Sequence, residues 1–494
     1  MSQAQQAAKA APQRTAITPT RAENFPEWYQ SVVKAADMAE NSPVRGAMVI
    51  KPYGYGIWEQ IQRALDDKIK EEGVQNAYFP LLIPLSFISR EADHVDGFAK
   101  ECAVVTHHRL EKGPDGALIP SPDAKLEEPF VIRPTSETII GDSMSKWVQS
   151  YRDLPLLLNQ WCNVMRWEMR TRLFLRTSEF LWQEGHNAFE TAEQAEADAR
   201  KMLEVYRSLY VDFLAMSAFC GEKTADERFP GAVHTYTIES MMQDGKSLQA
   251  ATSHNLGQNF AKSCQIKFQG RDGNEHFAHT TSWGLSTRSI GGLIMTHGDD
   301  DGLRMPPRIA PIQVMILPIT KNDDGAAAVI EYAQKIAAQL KTIGVRVSID
   351  LSDQRAPDKM WSAIKKGIPL RVEVGGREVE EGKLTHTCRD LGRESKTSCT
   401  VAELVGSVKS ILDDIHGRMY QASHNFSRSR IVECQSSAAV KEYFETAQDI
   451  GFAKMPVELL QDEALNAYRK ENALTTRCMP FEDEGRMVLV GKAY

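Results

Sequence analysis

Between residues 313 and 374 the sequence alternates segments that predict a strand, a helix, a strand, a helix and a strand. No other feature of the sequence constrains the fold as strongly. The strand segments are short and apolar, and the first helix is amphipathic and followed by Gly344. This alternation predicts an α/β domain with a largely parallel sheet. The predicted segments are Gln313–Leu317, Ala326–Ile343, Val345–Ile349, Lys359–Lys366 and Leu370–Val374.

A chain of 494 residues is too long for one hydrophobic core and is expected to divide into domains. The stretch His297–Pro311 is rich in Gly, Asp and Pro, which is typical of a linker before the α/β domain. We predict a disordered tail, a mixed domain of helices and strands, the α/β domain and a small α+β unit, at residues 1–20, 21–305, 306–415 and 416–494.

Composition excludes several classes of protein. Hydrophobic residues make up 42% and charged residues 25%, which excludes a largely disordered chain. Apolar runs are shorter than the ~18 residues that cross a bilayer, so no membrane partner is expected. The net charge of −8 disfavours a protein that coats nucleic acid indiscriminately. The sparse cysteines form no C-x-x-C pair, which favours reduced thiols and a cytoplasmic location.

Three local patterns predict elements in the mixed domain at residues 21–305. Residues Gly56–Lys70 repeat apolar side chains every four positions, which predicts a helix. Ala77–Ile83 is a short apolar stretch that predicts a strand. Thr191 is expected to be the N-cap of a long helix that ends near Met216.

Three clusters place arginine beside apolar residues that favour strands. An arginine held by a rigid strand can bind a phosphate or carboxylate through two parallel hydrogen bonds. The clusters are Arg133–Glu137 (RPTSE), Asn163–Glu168 (NVMRWE) with Arg176–His186 (RTSEFLWQEGH), and Ser282–Arg288 (SWGLSTR).

Pairs of polar residues two positions apart are candidates for a binding site. In a strand, this spacing would put Arg166 and Glu168 on one face, where they could bind a zwitterion or a phosphate beside an amine-bearing base. A surface ion pair is the more common account of this pattern alone. Thr135 and Glu137 have the same spacing and could hold an amine or mark a polar strand edge.

Phe180 and Trp182 also alternate, and such aromatic pairs more often belong to a core than to a ligand pocket. The joint occurrence of all three clusters, in this order, favours a site. In that combination the chain resembles the class II aminoacyl-tRNA synthetases, and among them the prolyl-tRNA synthetase family, over about residues 25–494.

The resemblance is carried by particular motifs. The helix and strand ending at Pro80 resemble class II motif 1, which in the family builds a dimer interface. Arg166 and Glu168 match motif 2, and the glycine-rich run ending in Arg288 matches motif 3. The strings RPTSE, RTSEFLWQEGH and, at Gln249–His254, QAATSH are specific to the prolyl members.

The resemblance implies a multidomain α/β and α+β fold. It places a class II catalytic domain with an antiparallel sheet at 21–305, an α/β anticodon-binding domain at 306–415 and a small α+β domain at 416–494. Relatives often hold zinc with four cysteines in the last domain. This chain offers only Cys434 and Cys478 there, so we expect no structural zinc.

The implied activity is that of a proline–tRNA ligase. Such an enzyme activates L-proline with ATP and Mg²⁺ to prolyl-adenylate and pyrophosphate, and transfers the prolyl group to the 3′ end of tRNA(Pro). Two anions meet in this reaction, so the site needs fixed positive charge. Thr287 stands where many class II enzymes have a metal-binding Glu, and we assign no Mg²⁺ ligands. The resemblance also implies a homodimer through the segment ending at Pro80.

The resemblance assigns site residues in two overlapping sets. Arg166 and Arg288 are the implied catalytic residues, the first bridging α-phosphate and proline carboxylate, the second clamping the far phosphates. The implied ATP-binding residues are Arg166, Glu168, Arg176, Thr177, Gln249, Thr252, Ser286 and Arg288. The implied proline-binding residues are Thr135, Glu137, Arg166, Phe180, Trp182 and His254. A purely structural histidine stays open for His254.

Three further expectations concern tRNA, editing and closure. Glu373 and Arg389 are the predicted anticodon readers, with a solvated surface as the alternative for each. The 64 residues from Gly185 to Gln249 leave no room for an editing domain, so editing in cis is expected to be absent. Because an apolar ring can be selected only by its shape, alanine or cysteine is expected to be activated in part. Ser89–His108 resembles a loop that closes over the amino acid.

Two other functions stay open at this point. A chain that keeps the fold and tRNA docking but has lost catalysis would serve regulation, although Arg166, Glu168 and Arg288 disfavour it. A ligase that adenylates an amino acid for a carrier other than tRNA would leave residues 306–415 unexplained.

Overall fold

The computed structural model describes residues 15–92, 101–320 and 325–494. They form two compact units. The large unit comprises residues 38–296, 306–311 and 407–494, and the small unit comprises residues 15–37, 297–305 and 312–406. Within the described ranges, every helix is too short or too polar to cross a bilayer.

The helices are numbered in chain order. The small unit contains α1 (Phe25–Ala35), and the large unit contains α2 (Pro52–Glu71), α3 (Leu85–Ala92), α4 (Glu137–Trp147), α5 (Ala192–Ser208), α6 (Asn259–Cys264) and α7 (Arg288–His297). They are followed by α8 (Ala326–Thr342), α9 (Ala356–Lys365), α10 (Gly376–Glu381), α11 (Val401–Ser429), α12 (Ser437–Thr446) and α13 (Glu463–Glu471).

The strands up to residue 286 belong to the large unit. They are β1 (Ala39–Asn41), β2 (Met48–Ile50), β3 (Gln75–Asn76), β4 (Leu82–Pro84), β5 (Val104–His107), β6 (Leu110–Lys112), β7 (Leu118–Pro120), β8 (Lys125–Ile132), β9 (Leu156–Met165), β10 (Glu179–Phe189), β11 (Phe219–Glu222), β12 (His234–Met241), β13 (Ser247–Gly257), β14 (Lys267–Gln269), β15 (Glu275–Phe277) and β16 (His279–Ser286).

The remaining strands are divided between the units. The small unit contains β17 (Val314–Ile319), β18 (Val347–Ile349), β19 (Leu370–Gly375), β20 (Lys383–Cys388) and β21 (Thr397–Thr400). The large unit ends with β22 (Ile431–Glu433), β23 (Phe452–Pro456), β24 (Thr475–Pro480) and β25 (Met487–Gly491).

One mostly antiparallel sheet organises the large unit. Its order is β22-β23-β25-β24-β11-β12-β13-β16-β10-β9-β3, and only its two ends are parallel pairs. Helix α5 packs against β12, β13 and β16. Because β24 pairs with β11, residues 416–494, which the sequence predicts as a separate domain, share a sheet with the strands before residue 290.

Helix α5 begins where the sequence predicts. The Thr191 side chain accepts from the Gln194 backbone N–H, and the Gln194 side chain accepts from the Thr191 N–H in return. The regular helix ends at Ser208 and continues as a wider π-type turn over Leu209–Phe213, a few residues before the predicted end.

The helix predicted at Gly56–Lys70 is confirmed as α2, but the strand predicted at Ala77–Ile83 is wrong. Only the short β3 and β4 flank an irregular stretch. Pro80 has no N–H to offer a neighbouring strand, and Phe79 N donates to the Gln160 side chain at 2.7 Å instead. Side-chain hydrogen bonds therefore replace the ladder that apolar residues alone would predict.

The small unit contains all five elements of the predicted alternation, with bounds shifted by a few residues. Its sheet order is β18-β17-β19-β20-β21. β17 is parallel to β18 and β19, whereas β19, β20 and β21 are antiparallel, so the sheet is mixed rather than largely parallel.

The segment predicted as a linker, His297–Pro311, is largely buried. Leu303 has no exposed surface in the small unit, and Ile309 has none in the large unit. Cys434 and Cys478, the two cysteines of the last segment, pack in different apolar clusters, with Val440 and Phe452 respectively among their neighbours.

Candidate active site

A cavity of about 330 Å³ opens over β10, β13 and β16 in the large unit. Its size is that of a small-molecule site. Most of the site residues predicted from the sequence line it, namely Thr135, Glu137, Arg166, Phe180, Trp182, Gln249, Thr252, His254, Ser286 and Arg288.

Two guanidinium groups reach this cavity from distant parts of the chain. Arg166 follows the end of β9, its Nε donates to the Pro134 carbonyl at 3.0 Å, and its charge lies over the Phe180 and Trp182 rings. Arg288 begins α7, and its Nε donates to the Leu175 carbonyl at 3.2 Å. Backbone carbonyls thus fix both side chains, which is the preorganisation that anion binding requires.

The charges of the two arginines act on each other. Burial lowers the pKa of Arg288, and the neighbouring positive charges of Arg166 and Arg176 lower it further. Such mutual repulsion is relieved when an anion binds between the groups. The cavity is therefore electrostatically suited to a phosphate or a carboxylate.

Three predicted residues do not line the cavity. Glu168 lies beyond the end of β9, so the shared strand face predicted for it and Arg166 does not exist. Its carboxylate accepts from the Arg170 backbone N–H at 2.9 Å and lies 4.0 Å from Arg176 Nε. The Thr177 hydroxyl is buried and donates to the Glu179 carbonyl at 2.7 Å.

An acidic corner lies at one side of the cavity. The Thr135 hydroxyl donates to the carboxylate of Glu137, and both residues are buried. Glu137 is the last residue of the RPTSE string and the first residue of α4. A carboxylate held in this way can accept hydrogen bonds from an ammonium group.

His254 is a neutral histidine at the cavity wall. Its Nδ1 lies 3.0 Å from the Thr235 hydroxyl, and its ring centroid lies 4.5 Å from that of Phe229. Burial lowers its pKa to about 3, and the nearby charges of His186 and Lys223 act in the same direction. It can therefore offer a hydrogen bond and a flat apolar face, but no positive charge near neutral pH.

Glu184 and His186 also line the cavity, although the sequence argument did not single them out. His186 Nε2 lies 2.9 Å from Glu184 Oε2, while Ser136 Oγ and Gln160 Nε2 donate to Glu184 Oε1 at 2.5 and 2.8 Å. Burial alone would raise the pKa of Glu184, but His186 and these donors hold it below its usual value.

A sequence signal for this pair was available. Phe180, Trp182, Glu184 and His186 are spaced by two along β10, so all four point to one face. Lys223, by contrast, lines the cavity from just after β11, and no local pattern distinguishes it.

The small unit has a cavity of its own, of about 610 Å³. Glu373 lines it, and its carboxylate lies 3.2 Å from Lys396 Nζ. Arg389 does not line it. Its guanidinium is buried and donates to both carboxylate oxygens of Asp299, at 2.9 and 2.6 Å, and to the Ile364 carbonyl. The prediction of Arg389 as a base reader is thus corrected, because its donors face protein groups.

The predicted closing loop Ser89–His108 lies partly outside the described residues, which omit 93–100. After that gap, the Glu101 carbonyl accepts from the Trp167 N–H at 3.1 Å, next to Arg166. Among residues 15–92, 101–320 and 325–494, no three His, Cys, Asp or Glu side chains are grouped so that they could hold a metal ion.

Two family descriptions match the chain. Residues 122–297 match the tRNA synthetase class II core domain (G, H, P, S and T), and residues 313–411 match the anticodon binding domain. The first range contains the arginine cavity, and the second contains the cavity of the small unit.

Relatives match along nearly the whole chain. Proline–tRNA ligases of Bdellovibrio bacteriovorus and Rhodopirellula baltica are each 53% identical to it, over 97% of this chain and 97% and 96% of theirs. A crystal structure of prolyl-tRNA synthetase from Cryptosporidium parvum, complexed with halofuginone and AMPPNP, is similar at a TM-score of 0.86 and 34% identity. That match covers 97% of this chain and 99% of the other.

Proposed function

The chain belongs to the proline–tRNA ligases, and from that premise we propose how its residues share the reaction. The enzyme activates L-proline with ATP, giving prolyl-adenylate and pyrophosphate, and transfers the prolyl group to tRNA. The observation that carries the proposal is that Arg166 and Arg288 line one cavity together with Thr135 and Glu137. The same convergence disfavours the alternative of a regulatory protein without catalysis.

We propose that proline binds between the acidic corner and Arg166. Glu137 and Thr135 would accept from the secondary ammonium, and Arg166 would hold the carboxylate. Phe180 and Trp182 would enclose the pyrrolidine ring, with neutral His254 at its edge. The side-chain carbons of the ring offer no hydrogen bond and are selected by shape alone, which supports partial activation of alanine.

In the proposed activation step, a carboxylate oxygen of proline forms a bond to the α-phosphorus of ATP. The bond from that phosphorus to the bridging oxygen breaks, and pyrophosphate leaves with the electron pair. Arg166 would neutralise charge at the α-phosphate, and Arg288 would do so at the departing phosphates. In the second step a ribose hydroxyl of the tRNA attacks the acyl carbon, and AMP leaves.

The nucleotide is proposed to lie along Gln249, Thr252 and Ser286, which line the same cavity. We propose that the nucleotide also contacts three residues outside the lining of the cavity, namely Glu168, Arg176 and Thr177. In support, the Leu175 carbonyl beside Arg176 accepts from Arg288. The solved relative was crystallised with AMPPNP, an ATP analogue, which favours this assignment.

Mg²⁺ is proposed to accompany the triphosphate. Protein-bound Mg²⁺ commonly uses substrate phosphates and water with one or two carboxylates. Among the described residues, no three His, Cys, Asp or Glu side chains are grouped for a metal ion, and Thr287 is a buried hydroxyl residue. We therefore derive no step through the metal.

The small unit is proposed to bind the anticodon loop, with Glu373 as one base reader. Unstacked bases can be recognised at their edges by carboxylates. Glu373 lines a cavity large enough for a base, and Lys396 beside it offers a positive charge for the phosphate backbone. Arg389 is not part of this proposal.

A homodimer is proposed through the segment around Pro80. Tyr78 is 72% exposed, and Leu82, Leu85 and Trp147 also expose apolar surface. Tyr78, Leu82 and Leu85 lie close in sequence, and the Trp147 ring centroid lies 5.9 Å from that of Phe79, which supports an exposed apolar patch of the kind that interfaces use. A cytoplasmic location is proposed as well, because the substrate is tRNA and the cysteines lack disulfide spacing.

The decisive experiment is exchange of labelled pyrophosphate into ATP, run with each of the twenty amino acids. We expect exchange with proline, weak exchange with alanine or cysteine, and none with the others. Exchange that does not depend on proline would overturn the proposed function.

A further inference from the structure

Three charged side chains form a buried cluster behind the proline end of the cavity. Lys223 is 2% exposed, Glu239 is 0% exposed and Arg477 is 5% exposed. Lys223 Nζ lies 3.0 Å from Glu239 Oε1, and Arg477 Nε lies 3.5 Å from Glu239 Oε2. The cluster holds two positive charges and one negative charge, so a single excess positive charge is buried there.

Only one member of this cluster faces the cavity. Lys223 lines it together with His254, whereas Glu239 and Arg477 do not. The positive charge of Lys223 also lowers the pKa of His254, after burial and the charge of His186. The excess charge is thus presented at the end where we place proline.

Arg477 reaches the cluster from the last segment of the chain. It lies on β24, which pairs with β11 at Gly221 and Glu222, immediately before Lys223. The hydroxyls of Thr224 and Thr476 lie 2.6 Å apart and join the same two segments again. The strand pairing therefore places the Arg477 guanidinium beside Glu239, the residue that pairs with Lys223.

Glu239 is held as an anion by both cations. Burial would raise its pKa, but Lys223, Arg477 and the Ser247 hydroxyl, which donates at 2.6 Å, keep it below its usual value. Without Arg477, the ion pair with Lys223 would remain, and the carboxylate would draw that ammonium more fully into a neutral pair.

Stability alone does not account for this arrangement. Buried ion clusters are often no more stabilising than apolar side chains of similar volume. In addition, Arg477 Nε is buried without a hydrogen-bond partner among the described residues, which costs free energy. A buried cation with an unsatisfied donor beside a binding cavity points to a functional role.

We propose that Arg477 is a positioning residue for proline binding. It shares the negative charge of Glu239 and so leaves Lys223 with positive charge facing the proline end of the cavity. The inference rests on the proposed function and assigns to the last segment a part in binding the amino acid.

The test compares Arg477→Met with Arg477→Lys in proline-dependent pyrophosphate exchange. Met removes the charge and keeps much of the length, whereas Lys keeps the charge. We expect Arg477→Met to raise KM for proline about tenfold and to change KM for ATP less than about twofold. Arg477→Lys is expected to recover most of the affinity for proline.

Arg486→Met is the matched control, because Arg486 lies in the same segment, is exposed and pairs with Glu484. It should leave both KM values unchanged. If Arg477→Met behaves like this control, or raises both KM values equally, the proposal is overturned. If the enzyme without substitutions shows no proline-dependent exchange, that result would instead contradict the proposed function itself.

A second pair of variants tests the route through Lys223. In a Lys223→Met background, Arg477→Met should have no further effect on KM for proline, whereas additive effects would overturn the proposal. If Arg477→Met does not fold, Glu239→Gln supplies the comparison, since it keeps the shape and removes the charge. Because it leaves Lys223 with its full positive charge, it should not raise KM for proline, and a rise of about tenfold that spares KM for ATP would overturn the proposal.

Discussion

At the scale of single residues, burial and charge decide what each side chain of the cavity can do. The same residue type has different roles in different surroundings. Arg166 and Arg288 face the cavity and repel each other, whereas Arg133 is 1% exposed and donates to the carbonyls of Phe79 and Asn163. Arg133 therefore supports the fold, although it stands in the same kind of sequence cluster.

Arg288→Ala is expected to lower the rate of proline-dependent exchange by about 100-fold or more, because one fixed cation at the phosphates is lost. Arg207→Ala, which removes a half-buried arginine paired with Glu204, should leave the rate unchanged. Steady-state exchange kinetics at saturating proline measure both effects. Equal rates in the two variants would contradict the assigned role of Arg288.

His254→Gln is expected to make the free energy of unfolding depend less on pH below pH 6.5. The folded protein keeps this imidazole neutral down to a pKa of about 3, whereas the unfolded chain protonates it below its ordinary value of 6.5. The unfolded state thus binds more protons in this window, and stability falls as the pH drops through it.

Below pH 6.5, His254 is expected to lower the free energy of unfolding by about 1.4 kcal/mol for each pH unit. The variant should lack this loss. Urea unfolding of both proteins between pH 6.5 and 5 measures it. Parallel curves for the two proteins would show that His254 is protonated in the folded state.

The sequence could identify the residues of the cavity that carry local patterns. Arg166, Glu137 and His254 stand in distinctive strings, and the structure brings them together. Lys223 and Arg477 could not be identified from the sequence. Each is recognised by its ion pair with Glu239, which lies more than ten residues away, and by burial that residue spacing does not reveal.

At the scale of elements, the junction between β11 and β24 joins distant parts of the chain. It depends on a glycine, since a Cβ at Gly221 would lie 2.2 Å from the Met479 carbonyl oxygen. The neighbouring Cys478 packs with Phe219 in an apolar cluster on the same pair of strands. The close backbone approach and the apolar packing together hold the last segment in the sheet.

Gly221→Ala is expected to destabilise the enzyme by about 1–3 kcal/mol, because backbone atoms cannot move aside as a side chain can. Gly417→Ala is the control. Gly417 lies in α11 with no atom near a new Cβ, so alanine there should be neutral or stabilising by up to about 1 kcal/mol. Thermal unfolding of both variants would show the difference, and a neutral Gly221→Ala would contradict the close approach.

Elements with strong local periodicity were predictable, and those defined by distant partners were not. The alternation at 313–374 and the helix α2 follow from spacing within a few turns. The stretch Ala77–Ile83 is as apolar as a strand, yet Pro80 and the side chains of Gln160 and Arg133 determine its shape. The pairing of β11 with β24 has no signature in either segment.

At the scale of the whole molecule, the two units are expected to separate activation from tRNA recognition. The cavity with Arg166 and Arg288 belongs to the large unit, and the cavity with Glu373 belongs to the small unit. A substitution in one unit should therefore affect one partial reaction and spare the other.

Glu373→Ala is expected to leave pyrophosphate exchange unchanged and to lower kcat/KM for charging tRNA about tenfold, since one base contact is lost. Arg393→Ala, at an exposed arginine of the same unit, is the control for a general loss of charge. Exchange and charging assays on the same preparations measure the two reactions. A parallel fall of both in Glu373→Ala would refute the separation.

Arg389→Ala is expected to act differently, because it leaves the buried carboxylate of Asp299 without its bidentate partner. Removing one partner of a buried ion pair costs about 3–5 kcal/mol, reduced here by the second contact of Asp299 with Arg304. Thermal unfolding measures the loss, and an unchanged midpoint would contradict the buried pairing.

The shared sheet also bears on how the protein is made. During synthesis β11 emerges from the ribosome about 250 residues before β24, its neighbour in the finished sheet. At roughly 5–20 residues per second, the nascent chain presents an unpaired strand edge for on the order of tens of seconds. The sheet under the cavity is therefore completed only after β24 has been synthesised, so a chain terminated before β24 would keep a bare, aggregation-prone edge.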